Sequence, residues 1–289
     1  MATFFNQATI SYNGSVADSN IITGRIIGTL SVTKNALTPI YTRTGDITYV
    51  VSITNSGDTA FTGLTMTDNL GAYVFSASEA EIVPLTYVNG TVNYYINGVQ
   101  QAAPTVTDTS PLSVTGISVP AGGNAIIVYT ARPNMYAPIG ENAFITNTVA
   151  VSGNRLINSV TADETVAHST APELTISKAL DPVVVTENGT ITYTFTIRNY
   201  GSTATTLTDN VIFSDSFEPV LNISSVTFNG EAWVLGDDYT YDTSTGVFTS
   251  VNGSITVPAA TFSQDETTGV WTAEPGVSTL VITGTIGNI

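Results

Sequence analysis

The chain has 289 residues, enough for two domains of ordinary size. Its seven basic and 23 acidic residues give a net charge of −16, which argues against nucleic acid or an anionic membrane as a partner. The absence of cysteine excludes disulfide bonds and thiolate metal sites, and we expect neither a metal nor a cofactor.

The composition indicates an all-β protein. Thr, Ser, Val, Ile, Asn, Gly and Tyr dominate the sequence, and turn-forming residues recur about every ten positions. No stretch shows convincing 3.6-residue apolar periodicity, so we expect almost no helix.

The N-terminal segment repeats a segment that occurs in the middle of the chain. Residues 5–11 resemble residues 145–152, with Asn6 falling on Asn147, and a short apolar strand follows in both places, at 20–23 and 158–161. The second copy closes one domain and leads into the next. In this sequence the first copy follows no domain, so we expect it to be a strand without a sheet of its own to complete.

Two homologous units follow this segment. Residues 45–57 match 189–201, a period-two strand running into an Asn-x-Gly turn. Further matches join residues 64–68 to 211–215 and residues 125–131 to 279–285. The predicted organisation is an N-terminal donor-strand arm over 1–27, a self-complete domain over 28–168 and a second domain over 169–289.

The second unit lacks a counterpart of the last strand of the first. A sandwich short of one strand exposes an apolar groove flanked by unpaired backbone groups. We expect the arm to fill this groove with the strand face formed by Phe4, Asn6, Ala8 and Ile10. An alternative is that residues 1–27 form a flexible arm or an edge strand on the first unit.

Tandem domains place their free ends at opposite poles, so we expect the arm to enter a neighbouring molecule. Such a head-to-tail contact is heterologous, and its repetition builds an open fibre of copies of the same chain. Donor-strand complementation in bacterial pili uses the same physics.

The only two lysines, Lys34 and Lys178, occupy the same position in the two units. Strand alternation places each on the same face as its apolar neighbours, and it turns Asn147 inward as well. The same reasoning places one acid in each unit on an inward face, Asp68 in the first and Asp215 in the second.

A buried ammonium is costly unless it is compensated. One solution is a Lys–Asp ion pair with Asn as a hydrogen-bond partner. The other is an isopeptide bond, because burial lowers the pKa of an amine and raises that of a carboxyl group, leaving a nucleophile beside an acid. The covalent hypothesis predicts two bonds, one within the chain and one between chains. They join Lys34 to Asn147 with Asp68 as helper, and Lys178 to Asn6 of the neighbouring molecule with Asp215 as helper.

Three motifs carry a family resemblance. Residues 32–34 read Val-Thr-Lys, residues 45–57 follow the pattern described above, and residues 66–70 read Met-Thr-Asp-Asn-Leu. Together they resemble the bacterial surface repeat known as domain of unknown function eleven. The chain departs from that pattern at Thr190, where Asp is usual, and in having no Pro after the Thr-Asp motif.

The resemblance implies two Ig-like sandwiches in an extracellular or envelope protein, with no catalytic turnover and no agreed ligand. The units also resemble in architecture the collagen-adhesin-type domains of Gram-positive pilins, in which similar Lys–Asn cross-links with an acidic helper are familiar. We therefore expect a non-enzymatic filament subunit. The alternative is a monomeric surface adhesin that binds a carbohydrate or a protein.

Targeting signals are not visible in the chain. Residues 1–6 have no basic region and no long apolar run, and no later segment is apolar enough to enter a membrane. We nevertheless expect an extracellular location, on a cell or spore surface. A removed leader or release by lysis of the mother cell would account for this.

Overall fold

The computed structural model describes residues 2–26, 30–186 and 188–286. Apart from a 3₁₀ turn at Leu207–Asp209, the regular structure in these ranges is β-strand, and they contain no α-helix. The all-β prediction is therefore confirmed. The chain divides into two compact units: unit 1 holds residues 1–138, 144–167 and 266–270, and unit 2 holds residues 139–143, 168–265 and 271–289.

The first four strands form an exposed ribbon that we call the N-terminal hairpin (residues 2–26). Strand β1 pairs with β4 and β2 pairs with β3, both antiparallel, around the turn at Asn13 and Gly14. Every residue from 3 to 23 is exposed to solvent. The strands are β1 (Ala2–Asn6), β2 (Thr9–Tyr12), β3 (Ser15–Asp18) and β4 (Ile22–Ile26).

Unit 1 is a sandwich of two main sheets, as period-two alternation in its strands requires. One sheet has the order β13-β12-β16-β7-β5 with β11 also on β16, and the other has the order β14-β15-β8-β17-β18-β6. The strands are β5 (Leu30–Ala36), β6 (Ile40–Tyr41), β7 (Ile47–Asn55), β8 (Phe61–Asp68), β9 (Tyr73–Phe75), β10 (Ala80–Ile82), β11 (Leu85–Tyr87), β12 (Asn93–Ile96), β13 (Val99–Gln101), β14 (Thr105–Thr109), β15 (Leu112–Val119), β16 (Asn124–Pro133), β17 (Phe144–Ser152) and β18 (Val160–His168).

The core of unit 1 lies between these sheets. Strands β7 and β16 contribute Tyr49 and Tyr129, which stack with ring centroids 5.5 Å apart. Strands β17 and β18, which we call the closing hairpin, contribute Ile145, Val149 and Val166 to the same core. The closing hairpin is therefore integral to the hydrophobic core of unit 1.

Unit 2 repeats the first sheet of unit 1 but only part of the second. Its larger sheet has the order β19-β20-β28-β22-β23, its smaller sheet has the order β21-β25-β24, and β26 pairs with β27. The strands are β19 (Leu174–Asp181), β20 (Thr190–Asn199), β21 (Ser214–Ser216), β22 (Leu221–Phe228), β23 (Glu231–Ala232), β24 (Tyr239–Asp242), β25 (Val247–Ser250), β26 (Thr261–Gln264), β27 (Trp271–Glu274) and β28 (Gly276–Ile286).

The sheet that contains β8 in unit 1 and its counterpart in unit 2, which contains β21, show what differs between the units. In unit 1, β8 is flanked by β15 on one side and β17 on the other, and Asp68 lies opposite both Leu112 and Val149. Among the described strands of unit 2, the equivalent strand β21 has only β25 beside it, with Asp215 opposite Phe248. Within the described part of unit 2, nothing corresponds to β17 or β18. The sequence led us to expect one strand without a counterpart, whereas two are without one.

The strand register corrects one detail of the sequence alignment. Tyr129 of β16 lies opposite Tyr49, and Ile282 of β28 lies opposite Tyr193. Because Tyr49 and Tyr193 match, Tyr129 corresponds to Ile282, and the match of residues 125–131 to 279–285 is off by one residue. Aligning by hydropathy missed this because both strands contain consecutive apolar residues, at 125–129 and 280–282, which conceal which residues face inward.

Candidate functional site: two lysine sites

Strand β5 carries Lys34 into the core of unit 1. Its inward residues are Leu30, Val32 and Lys34, alternating with exposed ones, and Lys34 lies opposite Val51 of β7. The Lys34 side chain is completely buried. A buried amine requires a compensating partner, because transferring an ammonium from water into an apolar interior is costly.

That partner is Asp68, at the end of β8. Lys34 Nζ donates to Asp68 Oδ2 at 2.5 Å, and neither side chain has any solvent exposure. Lys34 Nζ also lies 4.7 Å from the ring centroid of Tyr49. Burial lowers the pKa of Lys34 to about 8, with the charge of Asp68 opposing the shift. Lys34 can therefore lose its proton far more readily than an exposed lysine.

Asp68 is held in position by two further donors. The backbone N–H of Leu70 donates to Asp68 Oδ1 at 3.0 Å, and Tyr129 Oη donates to Asp68 Oδ2 at 2.6 Å. Burial and the charge of Asp68 raise the pKa of Tyr129 well above its usual value, so this phenol keeps its proton. The carboxylate therefore accepts from an ammonium, a phenol and a backbone amide.

Asn147 joins the same network from β17. Its Nδ2 donates to Tyr129 Oη at 3.2 Å, and its Oδ1 accepts from the backbone N–H of Gly71 at 3.1 Å. The Asn147 side chain is fully buried. We call Lys34, Asp68, Tyr129 and Asn147 the first lysine site, a chain of contacts that runs from amine to carboxylate to phenol to amide.

Both polar atoms of the Asn147 side chain have hydrogen-bond partners that bear on the cross-link hypothesis. The N–H of Gly71 donates to the oxygen on which negative charge would develop, as an oxyanion donor does. Tyr129 links the Asp68 carboxyl to the amide nitrogen that would leave. The sequence hypothesis gave Asp68 both roles. In the structure the backbone N–H of Gly71 donates to the Asn147 side-chain oxygen, and Tyr129 connects Asp68 to the Asn147 side-chain nitrogen.

Sequence reasoning missed Tyr129, Tyr49 and Gly71. The tyrosines lie on strands of alternating apolar residues, where a Tyr is ordinarily a core residue. Their only signal was that both share the inward face with apolar neighbours while carrying hydroxyls that require partners. Gly71 acts through its backbone, which no residue-type pattern indicates.

The second lysine site has the same pair in a different environment. Lys178 Nζ donates to Asp215 Oδ2 at 2.6 Å, but 43% of the Lys178 side chain and 20% of the Asp215 side chain are exposed. The rings of Tyr193 and Phe217 lie 4.7 and 5.5 Å from Lys178 Nζ, measured to their centroids. Ile282 stands where unit 1 has Tyr129. Within the described chain, Asn6 lies in β1, opposite Ile22 of β4.

The same face of unit 2 exposes apolar side chains that unit 1 buries. Ile176 is 56% exposed, whereas its counterpart Val32 is 9% exposed. An apolar groove of about 280 Å³ lies here, lined by Leu174, Ile176 and Phe213 among others. We call this groove, together with the unpaired side of β21, the open edge. Exposed apolar side chains beside unpaired strand backbone are the features of an unfilled strand position.

The predicted donor residues are all accessible. Phe4, Asn6, Ala8 and Ile10 are exposed, with Phe4 at 52% and Ile10 at 65%. They do not form one continuous strand as predicted, because β1 ends at Asn6, β2 begins at Thr9 and Ala8 lies between them. Their counterparts in β17 are Ile145, Asn147, Val149 and Val151, all buried.

The described ranges contain neither a candidate metal site nor a candidate membrane-spanning helix. In the described ranges, no group of three or more His, Cys, Asp or Glu side chains is arranged to hold a metal ion. A search of the same ranges for helices long and apolar enough to cross a bilayer finds none.

No family model and no curated protein sequence matches the chain. The resemblance to the surface repeat family therefore stays a prediction.

Several solved structures of Gram-positive pilins share a distant likeness. The chain is 12% identical to a C-terminal fragment of the major pilin GBS80 of Streptococcus agalactiae, over 51% of this chain and 58% of that one, with a TM-score of 0.33. For the major pilin BcpA of Bacillus cereus the identity is 11%, over 96% and 74%, with a TM-score of 0.34. For the full-length major pilin RrgB of Streptococcus pneumoniae it is 12%, over 88% and 42%, with a TM-score of 0.36. The chain thus spans little more than half of the first of these structures, which is itself a C-terminal fragment. Likeness at this level does not transfer a function.

Proposed function

We propose that this protein is the structural subunit of an extracellular filament on a bacterial cell or spore. Each copy inserts the strand face formed by Phe4, Asn6, Ala8 and Ile10 into the open edge of unit 2 of a neighbouring copy. One combined observation carries the proposal. Unit 2 has an unfilled strand position, and the exposed N-terminal hairpin contains a sequence copy of β17, the strand that fills this position in unit 1.

Chain order favours a neighbouring copy as the acceptor. In unit 1, the closing hairpin completes the sandwich and then leads directly into β19 of the next unit. The N-terminal hairpin likewise leads directly into β5 of unit 1. If the N-terminal hairpin of one copy completes unit 2 of its neighbour, it connects that unit 2 to its own unit 1, just as the closing hairpin connects unit 1 to unit 2 within a chain. Each added copy can repeat this connection, so the assembly is open-ended. Insertion into its own unit 2 would instead close the chain on itself.

The energetic gain of insertion is large enough for stable assembly. Burying several exposed apolar side chains contributes about 1.5–3 kcal/mol for each large one, and the unpaired backbone of β21 gains a partner. The inserted strand adds to an existing sheet edge, the recognition mode known as β-augmentation. Assembly of this kind is heterologous and gives open fibres.

The lysine sites would lock both units covalently. A proton moves from Lys34 Nζ to Asp68, and the free amine attacks the Asn147 side-chain carbonyl carbon. The N–H of Gly71 holds the developing oxyanion. The amide nitrogen then takes a proton relayed from Asp68 through Tyr129 and leaves as ammonia. The attacking nitrogen passes its surplus proton to the Asp68 carboxylate, so the site ends with a neutral amide and a protonated acid. One C–N bond forms and one breaks, so the reaction needs no oxidant and no cofactor.

The equivalent bond at the second site would join Lys178 to Asn6 of the neighbour, with Asp215 as helper. Insertion of the strand would bring Asn6 to the place that Asn147 has in unit 1, and it would cover the exposed Lys178. The only chemistry is this single-turnover reaction of the protein with itself, so the protein is not an enzyme.

Deletion of residues 1–27 tests the proposed assembly. Purified full-length protein should form filaments visible by electron microscopy, and the truncated protein should remain monomeric by light scattering at the same concentration. Adding a peptide of residues 1–27 to full-length protein should shorten the filaments. Filaments formed by the truncated protein, or a full-length protein that stays monomeric, would contradict the proposal.

A further inference from the structure

We infer that the donated element has two strands, and that β4 of the N-terminal hairpin fills a second vacant position in unit 2, beside residues 183–184. This inference rests on the proposed function and adds a second contact surface to it. A single donated strand would leave that position empty.

Unit 1 shows what occupies the second position. Strand β18 lies between β17 and β6, and the N–H of Ala167 donates to the carbonyl of Pro39 at 2.8 Å. Ile40 and Tyr41 form strand β6 only through this pairing with β18. The closing hairpin thus bridges β8 on one side and β6 on the other.

Among the described residues of unit 2, the corresponding segment has no such partner. With Lys34 matched to Lys178, Pro39 and Ile40 correspond to Val183 and Val184. Residues 183–186 form no strand, and Val183 and Val184 are 80% and 87% exposed. The position that β6 takes in unit 1 is therefore unpaired in the described part of unit 2, and Val184 is more exposed than its counterpart Ile40, which is 55% exposed beside β18.

Strands β1 and β4 have the registration needed to fill both positions at once, whereas β2 and β3 are shifted by one residue, with Ile10 opposite Ala17. Asn6 lies opposite Ile22, two residues along the strands from the pair Phe4 and Gly24. Asn147 lies opposite Glu164, two residues from the pair Ile145 and Val166. Aligning Asn6 with Asn147 therefore superimposes β4 on β18 as well as β1 on β17.

The side chains on this face are complementary in size. The ring of Phe4 covers Gly24, where an added Cβ would lie 2.2 Å from the Phe4 Cζ atom. The N-terminal hairpin thus has a large residue opposite a glycine, Phe4 and Gly24, where the closing hairpin has two residues of medium size, Ile145 and Val166. Ile22 replaces the charged Glu164, so the hairpin presents a more apolar face than the closing hairpin of unit 1.

An intermolecular disulfide tests the second contact, because the chain has no cysteine of its own. In register, Arg25 corresponds to Ala167 and Val184 to Ile40. The variant Arg25→Cys with Val184→Cys is made in an Asn6→Ala background, which removes any isopeptide ladder. A matched control carries Arg25→Cys with Val234→Cys, an exposed residue elsewhere in unit 2.

After mild oxidation we expect a ladder of reducible multimers from the Val184 variant, at least tenfold more abundant than from the Val234 control. Filaments that form normally but give equal, weak disulfide yields in both variants would overturn the two-strand inference and leave the proposed function standing. Absence of both filaments and disulfides in every variant, including the parent, would overturn the proposed function and this inference with it.

Discussion

Tyr129 in unit 1 and Ile282 in unit 2 occupy the same register position, each opposite a tyrosine of the neighbouring strand. In unit 1 the Tyr129 hydroxyl connects Asp68 to the amide of Asn147. In unit 2 the equivalent side chain has no polar atom. The proposed cross-linking reaction therefore has a hydrogen-bonded path for a proton at the first lysine site, and the second site lacks the equivalent hydroxyl. We expect the bond within the chain to form faster than the bond between chains.

Replacing Tyr129 with phenylalanine should slow formation of the Lys34–Asn147 bond by at least tenfold, because the leaving nitrogen loses its proton donor. General acid catalysis typically contributes about 10²–10⁴-fold in rate. The measurement is the intact mass of freshly refolded protein over time, scored as loss of one ammonia. Tyr94→Phe is the matched control, since it removes a part-buried hydroxyl that bonds Ser118 instead. Equal rates in the two variants would exclude Tyr129 from the reaction.

The stability of uncross-linked protein should rise with pH through the alkaline range. Burial lowers the pKa of Lys34 from 10.5 to about 8. Below pH 8 the folded and unfolded states both hold the proton and the burial penalty is complete. Between these two values the unfolded state binds more protons than the folded state, so the unfolding free energy increases, by at most about 3 kcal/mol.

This dependence is measured by urea unfolding of the Asn147→Ala variant between pH 7.5 and pH 10, a range set by the pKa values above. The reference adds Lys34→Met and Asp68→Asn, which removes the titrating pair and keeps the tyrosines. Their phenols, whose pKa values are raised, lower stability above about pH 10 in both proteins. If the difference in unfolding free energy between the two proteins stays constant across this pH range, the pKa of Lys34 is not lowered in the folded state.

Phe4 and Phe5 offer a test of which hairpin face is buried. They are adjacent, both exposed in the monomer, and correspond to buried Ile145 and exposed Thr146 of unit 1. Phe4→Asp should raise the concentration needed for filament growth at least a hundredfold, about 3 kcal/mol, because a charge replaces a buried ring. Phe5→Asp should leave it within a factor of three. Sedimentation at graded concentrations gives both values, and the opposite ranking would reverse the face assignment.

The two predicted bonds have separable consequences. Lys178→Ala or Asn6→Ala should give filaments that assemble but dissolve in hot detergent, because only the bond between chains is lost. Lys34→Ala should lower the melting temperature of unit 1 without severing polymers, since a buried partner of Asp68 is removed. Denaturing electrophoresis after heating distinguishes these cases. Identical detergent resistance in all variants and the parent would remove the covalent hypothesis.

Much of this fold could be predicted because strand period and turn chemistry are local. Alternation along residues 30–34 and 174–178 placed both lysines on the inward faces of their strands, and the structure brings Lys34 to Asp68 and Lys178 to Asp215. The repeat of residues 5–11 in 145–152 pointed to the strand position that unit 2 leaves open.

The remaining features depend on pairing between distant strands. Alternation says which face a residue occupies but not which residue lies opposite it, so the match of Tyr129 to Ile282 emerged only from the register of β16 and β28. The second vacant position was missed for the same reason. From its sequence, β18 is a polar, half-exposed strand. Only its pairing with β6 in the structure shows that it also provides a backbone partner for that segment.

Chain order gives the proposed filament a polarity. At one terminus a subunit would present an unoccupied groove, and at the other a subunit would present a bare hairpin, so the two tips have different chemistry. A soluble fragment carrying only the acceptor groove would stop growth at one tip, and a fragment carrying only the hairpin would stop it at the other. An anchoring protein with a matching groove could therefore fix the direction in which every filament points from its surface.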